Sequence, residues 1–172
     1  MPSPTIIELY DFDTQIEDAV AAVLVAGLAG VTPALVAQVN VSRDSATLAT
    51  PRIDVEFTRG PAILQYGAVG QADPRQVPVA YHGTITILIS TTRPNDNALM
   101  TPVHGPLRGA VSYFLSAGAK VFTSSNLPWL QILEMLPAQG QRLTQQNKEQ
   151  DVDALTFAVK FAINQSSWPA TA

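Results

Sequence analysis

The stretch DALTFAVKFAINQ, residues 153–165, has the strongest alternation of large apolar with small or polar side chains in the chain. Five large apolar residues occupy every second position: Leu155, Phe157, Val159, Phe161 and Ile163. A period of two predicts a strand with one buried face and one solvated face, as in an antiparallel sheet. We therefore expect the core of this protein to be built on a sheet.

Four earlier segments are also predicted to be strands. The alternation is weak in residues 35–43 and clear in residues 51–60 and 79–91. The fourth segment, residues 129–136, is predicted to end at a Gln-rich connection. In the two clear segments the inward positions are all large and apolar. These positions are Ile53, Val55 and Phe57 in the first of them, and Tyr81, Ile85, Ile87 and Ile89 in the second.

Two segments repeat their apolar residues every three to four positions, which predicts helices. The first begins in YDFDTQIEDAV, residues 10–20, where Thr14 and Glu17 have the S/T-x-x-E spacing of a capping box. We interpret its four acids as a helix start and not as a divalent cation site, since no loop with calcium-type spacing follows. This helix is predicted to end near Gly27–Gly30. The second is predicted to run from Pro106 to about Gly118.

The resulting order, α-β-β-β-α-β-β, predicts an α+β fold. We expect a mainly antiparallel sheet of about five strands with two α-helices packed on one face. At 172 residues the chain suits one domain, residues 1–172.

Two further segments of that domain are candidates for contacts with other subunits. Residues 60–78 form a long loop or a β-arm, and its apolar residues Ile63, Leu64 and Tyr66 are candidate interface residues. The C-terminal tail, about residues 165–172, carries Trp168, which either covers one end of the core or docks on another subunit. Residues 60–78 can be an extension of both flanking strands and also contact a neighbouring subunit, so the two interpretations are compatible.

Composition excludes several classes of function. Charged residues are 14% of the chain where about 25% is usual, there are no cysteines, and the Lys and Arg residues do not cluster. We therefore expect no disulfides, no thiolate metal site and no specific nucleic-acid binding. The charge-free residues 19–39 are long enough to span a membrane, but Pro33 interrupts them and no basic flank precedes them. Neither a membrane span nor a signal peptide is expected.

No residue pattern announces catalysis. His82 and His104 are interpreted as solvated surface histidines, and Asp151 and Asp153 as exposed acids at a strand start. Motifs for nucleophilic catalysis, phosphate binding and zinc binding are absent from the sequence. We predict that the protein is not an enzyme and has no catalytic residue, cofactor or metal site.

Four phrases together resemble the tail-terminator or tail-completion proteins of long-tailed bacteriophages: IEDAVAAVL (16–24), LATPRIDVEF (48–57), YHGTITILISTT (81–92) and DALTFAVKFAINQSSW (153–168). The resemblance implies a small α+β subunit that closes into a ring, usually six-fold, on the head-proximal end of the tail tube. Such a ring stops tube growth and joins the tail to the head-tail connector or stopper protein. It also implies a location in the tail or neck of the virion, with assembly in the host cytoplasm.

In such a ring DNA passes through the lumen without specific binding. A negative wall would not retain it, so Asp54, Glu56, Asp151 and Asp153 are candidate lumen-facing acids. Two alternatives stay open. The chain is another neck or tail-tube component, or it is a soluble α+β enzyme or ligand-binding subunit.

Overall fold

The computed structural model describes residues 12–41, 49–64, 79–92, 102–116, 130–143 and 150–163. The elements follow the predicted order, which confirms the α+β class. They are α1 (Phe12–Gly30), β1 (Gln38–Val41), β2 (Arg52–Leu64), β3 (Val79–Thr92), α2 (His104–Ser116), β4 (Leu130–Leu143) and β5 (Gln150–Ile163).

The strands form one sheet in the order β1-β2-β3-β5-β4, with four long strands and the four-residue β1 at one edge. The pairings β2–β3, β3–β5 and β4–β5 are antiparallel, whereas β1 runs parallel to β2. The prediction of an antiparallel sheet is therefore correct only in part. Alternation along a strand determines which residues share a face, but it contains no information on the direction of the neighbouring strand.

One face of the sheet forms the core. Ile53 of β2 pairs with Ile89 of β3, and both are buried. Leu155 and Phe157 of β5 lie on the same face of the sheet and are also buried. Both helices pack on this face through the apolar stripes that the sequence predicts. The buried members are Ile16, Val20, Leu24 and Leu28 of α1, and Leu107, Val111 and Leu115 of α2.

The opposite face of the sheet, which we call the open face, is polar at its centre, whereas Ser90 and Val152 towards one end of it are buried. Glu56, Thr86 and Thr156 lie side by side across β2, β3 and β5, and Thr58 is next to them on β2. Glu56, Thr58 and Thr156 are exposed, and no helix covers this face in the part of the chain that the structure describes.

Both predicted helix starts are wrong by two residues. α1 begins at Phe12, so Thr14 lies inside its first turn and is not the N-cap. α2 begins at His104, so Pro106 lies within its first turn, where a proline has no intrahelical hydrogen bond to lose. α1 ends at Gly30, as predicted. The predicted stop at Gly118 lies outside the described residues.

The predicted end of the fourth strand is also wrong. β4 continues to Leu143 through residues that the sequence suggested to be a connection. Its pairing with β5 shifts register between Leu136 and Gln139, so Pro137 sits at an irregularity. A proline is tolerated there because β4 is an edge strand and the irregularity needs no ladder hydrogen bond.

Glu17 of α1 bonds the edge of β2 just past the residues that pair with β1. The pairing of β1 with β2 ends at Val55, and two residues later the backbone N–H of Phe57 donates to Oε1 of Glu17 at 3.0 Å. Glu17 is 5% exposed, so this bond is buried. The carboxylate thus takes the place of a strand partner at this position.

We expect Glu17→Ala to lower the free energy of unfolding by about 2 kcal/mol, because the buried N–H of Phe57 loses its acceptor. Glu17→Gln is the matched control, since its amide oxygen can accept the same bond, and its loss should be less than half as large. Urea unfolding of the three proteins measures both values. Equal losses for the two variants would contradict this role.

Candidate assembly surfaces

The strands β2 and β3 extend as a paired ribbon past the point where β2 contacts the start of α1. Arg59 Nη2 lies 3.2 Å from Oδ2 of Asp13 at the start of α1, and the two strands remain paired beyond this point as far as Leu64 and Val79. We call residues 60–64 and 79–81 the β2–β3 arm. Of the predicted extension of both strands, only that of β2 is seen: β2 continues to Leu64, whereas β3 begins at Val79, immediately after the predicted loop. Ile63 pairs with Ala80 in the arm.

The remaining interface candidates, Tyr66 and Trp168, lie outside the described residues.

Two contacts between aromatic rings lie at the base of the arm, at the edge of the core. The rings of Tyr81 and Phe161 are stacked with centroids 5.4 Å apart, and Phe57 meets Phe161 edge-on at 6.0 Å.

The two candidate lumen acids on β2 differ in their surroundings. Asp54 is half-buried and joins the edge strand to the sheet, because Asn40 Nδ2 of β1 donates to its Oδ1 at 3.0 Å. Its Oδ2 accepts from Nε of Arg52 on the same strand at 2.8 Å. Glu56 is exposed on the open face. Of the two, Glu56 has its carboxylate in solvent, and Asp54 holds β1 in place.

Asp151 and Asp153 are buried, at 3% exposure each, so the prediction of exposed acids is wrong. They lie on the core face, opposite Thr91 and Ile89 of β3. Their positions are in phase with Leu155 at every second residue, and this phase is the sequence signal that indicates burial. At such exposure neither carboxylate can form part of a lumen wall.

His104 is also buried, at 2% exposure, so its interpretation as a solvated histidine is wrong as well. Its Nε2 lies 3.3 Å from Oδ2 of Asp153, and its Nδ1 lies 2.8 Å from the hydroxyl of Thr91. Arg108 Nη1 approaches the same carboxylate oxygen at 3.4 Å. The cluster joins the start of α2 to β3 and β5. By contrast, His82 is exposed on β3, as predicted.

This hydroxyl, imidazole and carboxylate have the residue types of a proton relay. A relay acts only where a substrate reaches the hydroxyl. The side chain of Thr91 is fully buried beneath α2, so the arrangement serves to satisfy polar groups inside the core. Within the described ranges, no group of three or more His, Asp or Glu side chains is placed to hold a metal ion.

A depression of about 250 Å³ lies at the base of the arm, between β2, β3 and β5. Its lining includes Gly60, His82, Thr84 and Lys160. Small-molecule sites usually have volumes of about 300–1,000 Å³ and enclose most of the ligand, so this depression is small for such a site.

Comparison with known proteins finds similar chains among the solved structures. No family model matches the chain, and no curated protein matches it. The chain is similar to a chain in the virion of a native gene transfer agent particle. The two are 14% identical with a TM-score of 0.40, over 83% of this chain and 93% of that chain. A likeness at this level carries no argument about function.

Within the described ranges, no helix is both long and apolar enough to cross a bilayer.

Proposed function

We propose that this chain is a phage-like virion structural protein, and specifically a tail terminator whose copies close into a ring on the head-proximal end of the tail tube. The four phrases that carry the family resemblance overlap α1, β2, β3 and β5. The main support from the structure is the β2–β3 arm, because a paired extension past the start of α1 offers a surface to a neighbouring copy.

Contacts between two different patches of identical subunits generate a ring when the rotation closes. An arm at one end of the subunit that binds a distant patch on the next copy is such a contact. The ring, a hexamer by resemblance, would bind the tail tube protein on one side and the head-tail connector or stopper protein on the other. It would belong to the tail or neck of the virion and assemble in the host cytoplasm.

DNA would pass through the lumen without specific binding. Glu56 is the candidate for a lumen-facing acid that fits this function, because it is exposed on the open face. A carboxylate on the wall repels the phosphate backbone and so favours passage over retention.

Native mass spectrometry of the purified protein tests ring formation. We expect a discrete species at six times the subunit mass of 18.4 kDa. A second measurement tests the position of the ring: added to purified tail tubes, the protein should cap one end and stop further growth, as seen by electron microscopy.

Each alternative predicts a different result in these measurements. Incorporation along the tube, or binding to filled heads without binding to tubes, would indicate another tube or neck component. A lone 18.4 kDa species at high concentration that turns over or binds a small molecule would contradict a structural role and favour an enzyme or ligand-binding subunit.

A further inference from the structure

The second half of α1 exposes an uncharged apolar surface. From Ala19 to Val41 the sequence contains no charged side chain. After Asp18, every exposed residue of the helix is apolar or glycine: Ala22, Val25, Ala26, Ala29 and Gly30. A surface helix ordinarily presents charged and polar residues to water, and a helix that is apolar all round is ordinarily buried. This surface is therefore expected to be covered in the working assembly.

Three large apolar side chains are exposed in the described structure, and all of them lie on or beside this half of α1. Val25 is 55% exposed, Val36 81% and Tyr113 71%. The N–H of Leu35 donates to the carbonyl of Leu28 at 3.3 Å, which places Val36 beside the end of the helix.

Tyr113 is brought to the same place by close packing of the two helices. The ring of Phe114 fills the space above Gly27, where an added Cβ would lie 2.7 Å from the ring. Tyr113 precedes Phe114, and the two rings meet edge-on with centroids 5.5 Å apart. We call Val25, Val36, Tyr113 and the exposed alanines of α1 the α1 outer surface.

The β2–β3 arm cannot cover the α1 outer surface of its own subunit. The arm extends beyond the ion pair of Asp13 with Arg59, which marks the N-terminal end of α1. The α1 outer surface lies in the C-terminal half of the same helix, on the side away from the sheet. The two apolar features are thus at opposite ends of one subunit.

We propose that the α1 outer surface of one copy receives the β2–β3 arm of the next copy. The proposal rests on the proposed ring and specifies its subunit contact. The arm, residues 60–64 and 79–81, contains no charged residue and includes Ile63 and Leu64, so arm and receiving surface match in chemistry. Placed at opposite ends of the subunit, they form a contact between two different patches, which can close a ring.

The dimensions of the two features also match. The twelve helical residues from Ala19 to Gly30 span about 18 Å. Residues 60–64 of the arm span about 16 Å at strand spacing. A second copy therefore supplies an apolar segment of the right length for this surface, without a further kind of protein.

Disulfide crosslinking between copies tests the contact, and the absence of native cysteine makes each introduced pair specific. Val25→Cys is mixed with Ile63→Cys or with Leu64→Cys under mild oxidation. Successive strand residues point to opposite faces, so one of the two arm positions should face the helix. We expect that mixture to yield about tenfold more crosslinked dimer than either variant alone. Thr156→Cys, exposed on the open face, replaces Val25→Cys in the control and should give background yield.

A charge at the same position supplies a second measurement. Val25→Glu should shift the native mass from ring to single subunits, at a concentration where Thr156→Glu keeps the ring. At a concentration low enough for both proteins to be single subunits, the Tm of Val25→Glu should equal that of the unchanged protein, because assembly then contributes to neither value. A lowered Tm under those conditions would mean that a segment of its own chain covers the surface, which would overturn the proposal.

The two proposals fail in different ways. A closed ring without a crosslink from Val25 to either arm position, or with a Val25 to Val25 crosslink instead, overturns this contact and leaves the tail terminator standing. A crosslinked ring that does not cap tail tubes overturns the tail terminator and leaves the contact standing.

Discussion

Asp153→Ala is expected to lower the free energy of unfolding by about 3 kcal/mol, because it removes a buried carboxylate on which two donors converge. Oδ2 of Asp153 lies 3.3 Å from Nε2 of His104 and 3.4 Å from Nη1 of Arg108. The imidazole is 2% exposed, so without the carboxylate its Nε2 loses its partner at a site shielded from bulk water. Arg108 is 47% exposed and recovers its hydration. Most of the lost free energy of unfolding therefore comes from the interaction with His104.

Two further variants separate the hydrogen bond from the charge. Asp153→Asn keeps an oxygen that can accept from Nε2 of His104, so we expect less than half the loss of the alanine variant. Arg108→Ala should cost less than about 1 kcal/mol, as is usual for half-exposed ion pairs. Urea unfolding of the four proteins measures these differences. If Asp153→Asn is as unstable as Asp153→Ala, the charge and not the hydrogen bond dominates, and this account is wrong.

The strands were predictable from the sequence where burial on one face is strict. Ile53, Ile87 and Phe157 stand in period-two stretches because each strand must present one side to the helices, and the structure buries all three. The parallel direction of β1 has no such signal, since it depends on the path of the connection. The continuation of β4 through Pro137 was likewise hidden, because a proline predicts a break unless the strand lies at an edge.

The start of α1 shows a local motif overridden by tertiary structure. Thr14 and Glu17 have the spacing of a capping box, yet the helix begins earlier and Glu17 bonds the N–H of Phe57. Forty positions separate these two residues, so no pattern along the helix indicates that contact. Spacing rules describe neighbours along one element and cannot include an acceptor required by another strand.

The polar cluster beneath α2 was missed because of the general rule that charged residues lie at the surface. His104 and Asp153 can be buried because each satisfies the other, and this pairing depends on the packing of α2 over β5. The phase of Asp153 with the core residues of its strand was a usable signal. His104 had a comparable one, since Leu107 and Val111 follow it at three-residue and seven-residue distance on the buried face of α2.

Gly83→Ala is expected to lower the free energy of unfolding by about 2–3 kcal/mol, because a methyl group would enter space that an aromatic ring already fills. A Cβ on Gly83 would overlap Cε2 and Cζ of Phe57 and would lie 3.3 Å from the carbonyl oxygen of Thr58. Phe57 is 6% exposed and meets Phe161 edge-on at 6.0 Å, so its ring cannot move without disturbing a second ring. Backbone on one side and packed rings on the other leave the methyl group no room.

A double-mutant cycle identifies the ring as the cause of this loss. In a Phe57→Leu background the shorter side chain frees the space, so Gly83→Ala should then cost less than about 1 kcal/mol. The matched glycine control is Gly109→Ala in α2, where nothing lies within 4 Å of an added Cβ. That variant should gain about 0.5–1 kcal/mol from its higher helix propensity. A steric conflict between the added methyl group and the ring of Phe57 disappears when that side chain is shortened. If the two losses are additive in the cycle, Gly83 is therefore required for some reason other than the ring of Phe57.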